Sequence, residues 1–137
     1  MSFKSLTPKL SVAPQMDETD VARAAQQGFK AIIDNRPDDE ERGQISAAQM
    51  KQMAADHGME FVHIPVVTGK IDAASVAKMG AALDSLESPV VAYCRTGTRS
   101  ANLWALSQAG KAEPETIIAT AKAAGYDLPS IADRLKS

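Results

Sequence analysis

VVAYCRTGTRS, Val90 to Ser100, holds the only cysteine of the chain at the end of an apolar run. A glycine follows three positions after Cys94 and an arginine five positions after it. The run before the thiol has the composition of a buried strand, and TGTRSANLWALSQAG after it reads as a turn that opens a helix. First-turn N–H groups have no acceptor within a helix, so a thiol at such a junction lies among donors that favour negative charge. The same donors hold an oxyanion and favour a nucleophilic thiolate over a thiol. Gly97 suits the turn because it tolerates a positive φ and lets the backbone approach a ligand. Arg99 can fork two oxygens of a bound anion, and Arg95 adds a second positive charge. Thr96, Thr98 and Ser100 supply hydroxyls, and Ser100 is the one expected to touch the sulfur or assist product release. Alternatively Cys94 is a small core residue and the arginines are surface charges. Gly and Arg at these offsets behind a strand favour the functional thiol.

Outward from this loop the apolar period alternates. DETDVARAAQQG reads as a helix capped by Asp17 or Thr19 and stopped by Gly28. FKAIID, Phe29 to Asp34, reads as a strand and NRPDDEERGQ, Asn35 to Gln44, as a polar loop. SAAQMKQMAADHG has Ser46 as cap and Gly58 as terminator. MEFVHIPVV is the next strand, and Asp72 caps DAASVAKMGAALDSLES, with Val76, Met79, Leu83 and Leu86 in one stripe. PVVAYC, Pro89 to Cys94, is the last strand. ETIIATAKAAG behind Pro114 and PSIADRL from Pro129 read as closing helices. A short first strand is expected at Leu10–Ala13. Strands separated by helices imply right-handed crossovers, hence a single α/β domain over residues 1–137 with a mainly parallel four-stranded sheet flanked by helices. In such a sheet ligands bind beyond the carboxyl ends of the strands. That places Asn35–Arg36, Val67–Gly69 and Cys94–Ser100 on one rim.

Composition narrows the partners. At 137 residues the chain is one ordinary domain. A formal net charge of −2 leaves no basic surplus for a polyanion, so nucleic acid is not the expected partner. The opening residues carry no charged-then-apolar leader and no run of 18 apolar residues occurs, so neither secretion nor a membrane is expected and the predicted location is cytoplasmic. A lone cysteine forms no internal disulfide, which agrees with a reducing compartment. His57 sits before a helix-stopping glycine and His63 alternates into a strand; neither has metal-ligand spacing, and no metal or cofactor is expected. Asp38, Asp39 and Glu41 read as a solvated loop, whereas Arg36, following Asp34 at a strand end, is expected to be paired. The methionines fit core packing, and Trp104 is expected to anchor the helix behind the cysteine loop to the sheet.

Three segments, DNRPDDEE with the following Gln44, HGMEFVHIPV, and PVVAYCRTGTRSANLWAL, occur in order. From about Pro8 to Tyr126 the chain resembles the bacterial beta-lactamase-hydrolase-like protein family, whose phosphatase-like domain has the dual-specificity phosphatase fold. The resemblance implies Cys94 as nucleophile, the 95–99 backbone as phosphate cradle, Arg99 as anion clamp and Ser100 as assisting hydroxyl. It also implies that Asp34, Arg36 and Glu40 form a polar cluster beside the loop. Two features depart from the phosphatase pattern. Tyrosine phosphatases have five residues between Cys and Arg, and here there are four, Arg95 to Thr98, the length found in rhodanese-type sulfurtransferases. Such phosphatases also carry an aspartate in the loop after the strand resembling FVHIPV, to protonate the leaving oxygen; here that loop reads VTGKI, and Asp72, the nearest carboxylate, is either that acid or a helix cap. The expected activity is thus a cysteine-dependent phosphatase-like hydrolase acting on a small oxyanionic substrate. A sulfurtransferase carrying a Cys94 persulfide is the alternative, and a non-catalytic anion-binding or thiol-sensing module is the third reading.

Overall fold

The computed structural model describes residues 3–128 and 134–135. Five strands form one sheet: β1 (Lys4–Thr7), β2 (Leu10–Ala13), β3 (Ala31–Asp34), β4 (Glu60–His63) and β5 (Val90–Tyr93), in the order β1-β2-β5-β3-β4. β2, β5, β3 and β4 run parallel, and β1 returns antiparallel to β2 at the edge. The helices are α1 (Glu18–Gln26), α2 (Ala47–Asp56), α3 (Ala73–Ser85), α4 (Thr98–Ser107) and α5 (Pro114–Ala123). None of the described helices is long and apolar enough to cross a membrane.

β2, β3 and β5 are buried at every position, as parallel strands covered on both faces must be. Successive side chains point to opposite faces, so the sheet divides the core in two. Ile32, Val91, Tyr93 and Ala13 join Val21 and Ala24 of α1 and Met50 and Ala54 of α2 on one face. Ile33, Ala92, Val90 and Val12 join Met79 of α3, Leu103 and Trp104 of α4 and Ile117 of α5 on the other. Ile32 and Ile33 are fully buried, each contributing about 2 kcal/mol by leaving water. Trp104 ties α4 to the sheet, as its position behind the loop predicts.

The caps are those the sequence marks. Asp17 accepts from Asp20 N, and the Asp20 side chain returns a bond to Asp17 N, completing a capping box. Ser46 and Gln49 do the same for α2, and Asp72 accepts from Ser75 N for α3 at 2.8 Å. Pro114 starts α5 in its first turn.

Two expectations need correction. The sheet has five strands, not four, because KSLT at residues 4–7 pairs with β2. Only Leu6 of that segment is buried, so no alternation announces it; the Thr7 hydroxyl, accepting from Lys9 and Leu10 N–H at 3.1 Å, closes the turn instead. The strand read as Met59–Val67 ends at His63, since Pro65 has no N–H for a ladder. Ile64 and Val66 still donate to Asp34 O and Asn35 O at 2.8 and 3.1 Å, so this segment leaves the sheet along the rim. The helix expected from Pro129 falls largely outside the described residues.

The register aligns Asp34 with both Tyr93 and His63. The chain therefore leaves β3, β4 and β5 side by side at one rim, where the three expected segments meet.

Candidate active site

β5 ends at Tyr93, and Cys94 is the first residue past it, fully buried. α4 begins at Thr98 with Gly97 as its N-cap at φ +94°, a conformation an L side chain adopts only at about 1–2 kcal/mol. The turn this permits brings Gly97 N–H within 3.0 Å of Cys94 Sγ. Thr96 Oγ1 donates to Thr98 Oγ1 at 3.1 Å, and Gln15 N–H donates to Arg95 O at 3.2 Å, tying the loop to the end of β2. The sulfur lies where a backbone donor and a helix N-terminus both favour negative charge.

Arg99, one residue into α4, is only 6 % exposed. Its Nη1 donates to Glu40 Oε2 at 2.7 Å and to Val66 O at 2.9 Å, and its Nη2 donates to Glu40 Oε1 at 2.8 Å. These use three of the guanidinium's five N–H groups, and the head also faces the Cys94 sulfur. The paired geometry is the fork-to-fork arrangement that Arg makes with carboxylates. Hydrogen bonds from Arg99 hold the Glu40 carboxyl below its ordinary range, and Arg36 adds to this. Glu40 in turn is the first cause that holds the Arg99 guanidinium's proton more tightly.

Arg36 is buried and braces the cluster from below. Its Nε reaches Glu40 Oε1 at 2.9 Å, Nη1 reaches Gln15 Oε1 at 3.0 Å and Nη2 reaches Glu41 Oε1 at 3.2 Å. Arg36 is therefore paired, as its position predicts, and Glu41 is not merely solvated. Gln44 fastens the loop by accepting from Glu40 N–H and donating to Pro37 O. Of Asp34, Arg36 and Glu40, Glu40 bonds Arg99 directly and Arg36 reaches it through Glu40, whereas Asp34, at the end of β3, bonds the Arg36 backbone. Its Oδ1 accepts from Arg36 N at 2.8 Å, and burial pushes its carboxyl above the ordinary value. The Tyr93 hydroxyl is pushed up by burial and by the same Asp34.

Ser100 is fully buried, and its hydroxyl bonds none of the described groups, the sulfur included. Asp38 is also more than a solvated acid, since its Oδ1 caps α2 by accepting from Ala47 N at 2.8 Å. His63 Nε2 lies 2.9 Å from Arg36 O, which can only accept, so this nitrogen carries a proton. Asp34, Asp38 and His63 bring ligand atoms within 4.8 Å of one another. Linear spacing hides this grouping, and its geometry serves the loop: one carboxylate oxygen of each aspartate and the histidine Nε2 already bond the backbone of residues 36 and 47.

Above the loop lies a polar cleft of about 360 Å³ lined by Arg36, Glu40, Glu41, Thr68, Arg95 and Arg99. A second, of about 300 Å³, shares Thr68, Arg95 and Arg99 and extends over Thr96, Thr98 and Asn102. Arg95 is exposed and lines both. Such walls fit a small, hydrated oxyanion rather than an apolar ligand. Neither Glu40, which lines the first cleft, nor Asp72, the carboxylate nearest in the following loop, is suited to donate a proton. Glu40 is held ionised by its arginines, and Asp72 is exposed, with its carboxyl held low by the Ser75 N–H. Asp72 is the helix cap of the two alternatives. Asp72→Ala is expected to lower stability by about 1 kcal/mol and to leave kcat unchanged; urea unfolding with steady-state rates checks both, and a kcat lowered tenfold would restore the acid.

Sequence reasoning overlooked Gln15, Val66 and Tyr126. Gln15 and Val66 act through groups any residue of similar shape could offer, a side-chain amide and a backbone carbonyl, and so leave no mark in a sequence. Tyr126 follows a glycine at a helix end and reads as ordinary packing, yet its ring lies against Gly97.

The chain and its fold are similar to known proteins. The family model for the beta-lactamase hydrolase-like protein, phosphatase-like domain, matches residues 2–111. The beta-lactamase hydrolase-like protein of Agrobacterium fabrum is 35% identical over 130 residues, covering 93% of this chain and 30% of that protein. The chain thus spans about a third of the length of the curated relatives it matches. A candidate phosphatase of Neisseria meningitidis superposes with a TM-score of 0.90 at 38% identity, covering 99% of this chain and 97% of the other. TpbA of P. aeruginosa, solved as a Cys-to-Ser variant in complex with phosphotyrosine, superposes with a TM-score of 0.70 at 14% identity, over 96% and 80% of the chains, a likeness of fold. With the family model matching most of its length, the chain belongs to the beta-lactamase hydrolase-like family as its phosphatase-like domain.

Proposed function

We propose that the domain is a cysteine-dependent phosphatase-type hydrolase of small phosphate esters. The observation that carries this reading is the convergence of the Gly97 N–H and the Arg99 guanidinium on the Cys94 sulfur at a helix N-terminus. The thiolate attacks phosphorus, the S–P bond forms and the P–O ester bond breaks, and the leaving oxygen departs with the bond pair. Water then attacks phosphorus, releasing inorganic phosphate and restoring the thiolate. The cradle of residues 95–99 and the free N–H groups of Arg99 stabilise the charge on the equatorial oxygens. Arg95 and Thr68 form the outer wall against which the ester group lies. Because Glu40 is held ionised by its arginines and Asp72 caps a helix, esters with good leaving groups such as aryl phosphates are the expected substrates.

The bound state of Glu40 and Asp72 also fits a second reading, a sulfurtransferase. Cys94 would attack the outer sulfur of thiosulfate, forming an S–S bond while sulfite leaves as an anion that needs no proton, and the persulfide would pass to a thiol acceptor. The four-residue span between Cys94 and Arg99 supports a tight cradle of that kind.

Intact mass separates the two. A phosphoryl adduct on acid quench with an aryl phosphate, together with turnover, supports the hydrolase. A gain of one sulfur atom from thiosulfate without ester turnover overturns it in favour of the transferase. No reaction with either leaves the domain an anion-binding or thiol-sensing module.

A further inference from the structure

Tyr126 lies beyond residue 111, where the family match ends, in the segment that follows α5. A Cβ built on Gly97 would run into the Tyr126 hydroxyl, with ring atoms Cζ and Cε1 at 3.0 and 3.2 Å. The phenol is thus seated on the Gly97 Cα, in space that only glycine leaves open. The N–H of that same glycine points at Cys94 Sγ from 3.0 Å. Tyr126 is anchored independently of the loop. Its N–H donates to Ala121 O of α5 at 2.9 Å, and Leu128, two residues on, is buried in the core cluster with Leu103 and Trp104. Burial first, and the neighbouring Cys94 second, push the phenol above its ordinary value, so it keeps its proton wherever a thiolate does chemistry.

We propose that Tyr126 is a positioning residue for the nucleophile: its hydroxyl, wedged against Gly97, fixes the left-handed turn that aims the Gly97 N–H at the sulfur. This rests on the reading of Cys94 as the nucleophile. Among the described residues, the titratable and charged groups near enough to act on the sulfur are Arg99 from α4 and Tyr126 from the segment after α5, with Arg95 next along the loop.

Tyr126→Phe keeps the ring and removes only the oxygen. The pH profile of Cys94 alkylation by iodoacetamide, followed by mass, reads the effect without any substrate. The variant's profile is expected to move to higher pH, with alkylation at neutral pH roughly five-fold slower, because a turn no longer wedged loosens the hydrogen bond from Gly97 N–H to the sulfur. The two curves should converge at alkaline pH, where the thiol is fully ionised. Superimposable profiles overturn the proposal, and so does a lowered alkaline plateau with unchanged pH dependence, which would mean altered access alone. A wild-type thiol inert throughout overturns both this role and the nucleophile. A displaced profile in a protein that turns over neither aryl phosphate nor thiosulfate upholds Tyr126's role and overturns the catalytic reading of the site.

Discussion

Replacing Cys94 by serine is expected to abolish turnover, by roughly 10⁴-fold or more, while leaving the fold and anion binding in place. The sulfur is fully buried and accepts one backbone hydrogen bond, from Gly97 N–H. A serine oxygen is smaller and can accept the same bond, so the loop loses little. What it lacks is ionisation: an alcohol stays protonated at neutral pH, and among the described residues no base bonds to Cys94 to relieve it of the proton. The cradle and Arg99 are untouched, so inorganic phosphate should still raise the melting temperature of the variant. Steady-state rates and a phosphate titration of thermal stability check the two halves together. A variant retaining a tenth of the wild-type kcat would show that the thiol is a core residue and that the chemistry lies elsewhere.

Arg99→Lys is the second large effect, expected to lower kcat/KM by about 10²–10³-fold and stability by about 2 kcal/mol. A lysine keeps the charge but not the planar fork. It can satisfy at most part of what the guanidinium bonds now, two oxygens of Glu40 and the carbonyl of Val66, and it has no second edge for an anion. Glu40 would keep only Arg36 as a partner at 2.9 Å, and Val66 O would lose its donor on the rim. The activity and stability losses therefore share a cause, which kinetics and urea unfolding measure separately. An unchanged kcat/KM with normal stability would mean that charge alone suffices and that the Glu40 fork is incidental.

Much of the site was legible because its chemistry is local in the chain. A strand end, a glycine that takes a positive φ and a helix start occupy consecutive residues, so the backbone donors around Cys94 follow from order alone. The caps Asp17, Ser46 and Asp72 were legible for the same reason, each bonding an N–H three residues on. β1 was not, since four largely polar residues acquire a strand's identity only by pairing with β2. Arg36 showed itself as paired, but its partners Gln15 and Glu41 did not, because an ion pair depends on where loops fold rather than on what they contain.

By itself, the sequence determined the alternation of strands and helices, the rim on which the loops gather, and Cys94 as the one thiol placed to become a nucleophile. Those follow from periodicity, capping and backbone donors, all of which act over a few residues. Only the tertiary structure decided that Glu40, 59 residues away, grips Arg99, that Asp34 and His63 both bond the backbone of Arg36, and that Tyr126 closes on Gly97. Each of these is a contact between segments brought together by packing two cores on opposite faces of one sheet, and burial lets such contacts act strongly on charged groups. Which groups then share a low-dielectric pocket is a property of that packing, not of any stretch of residues read along the chain.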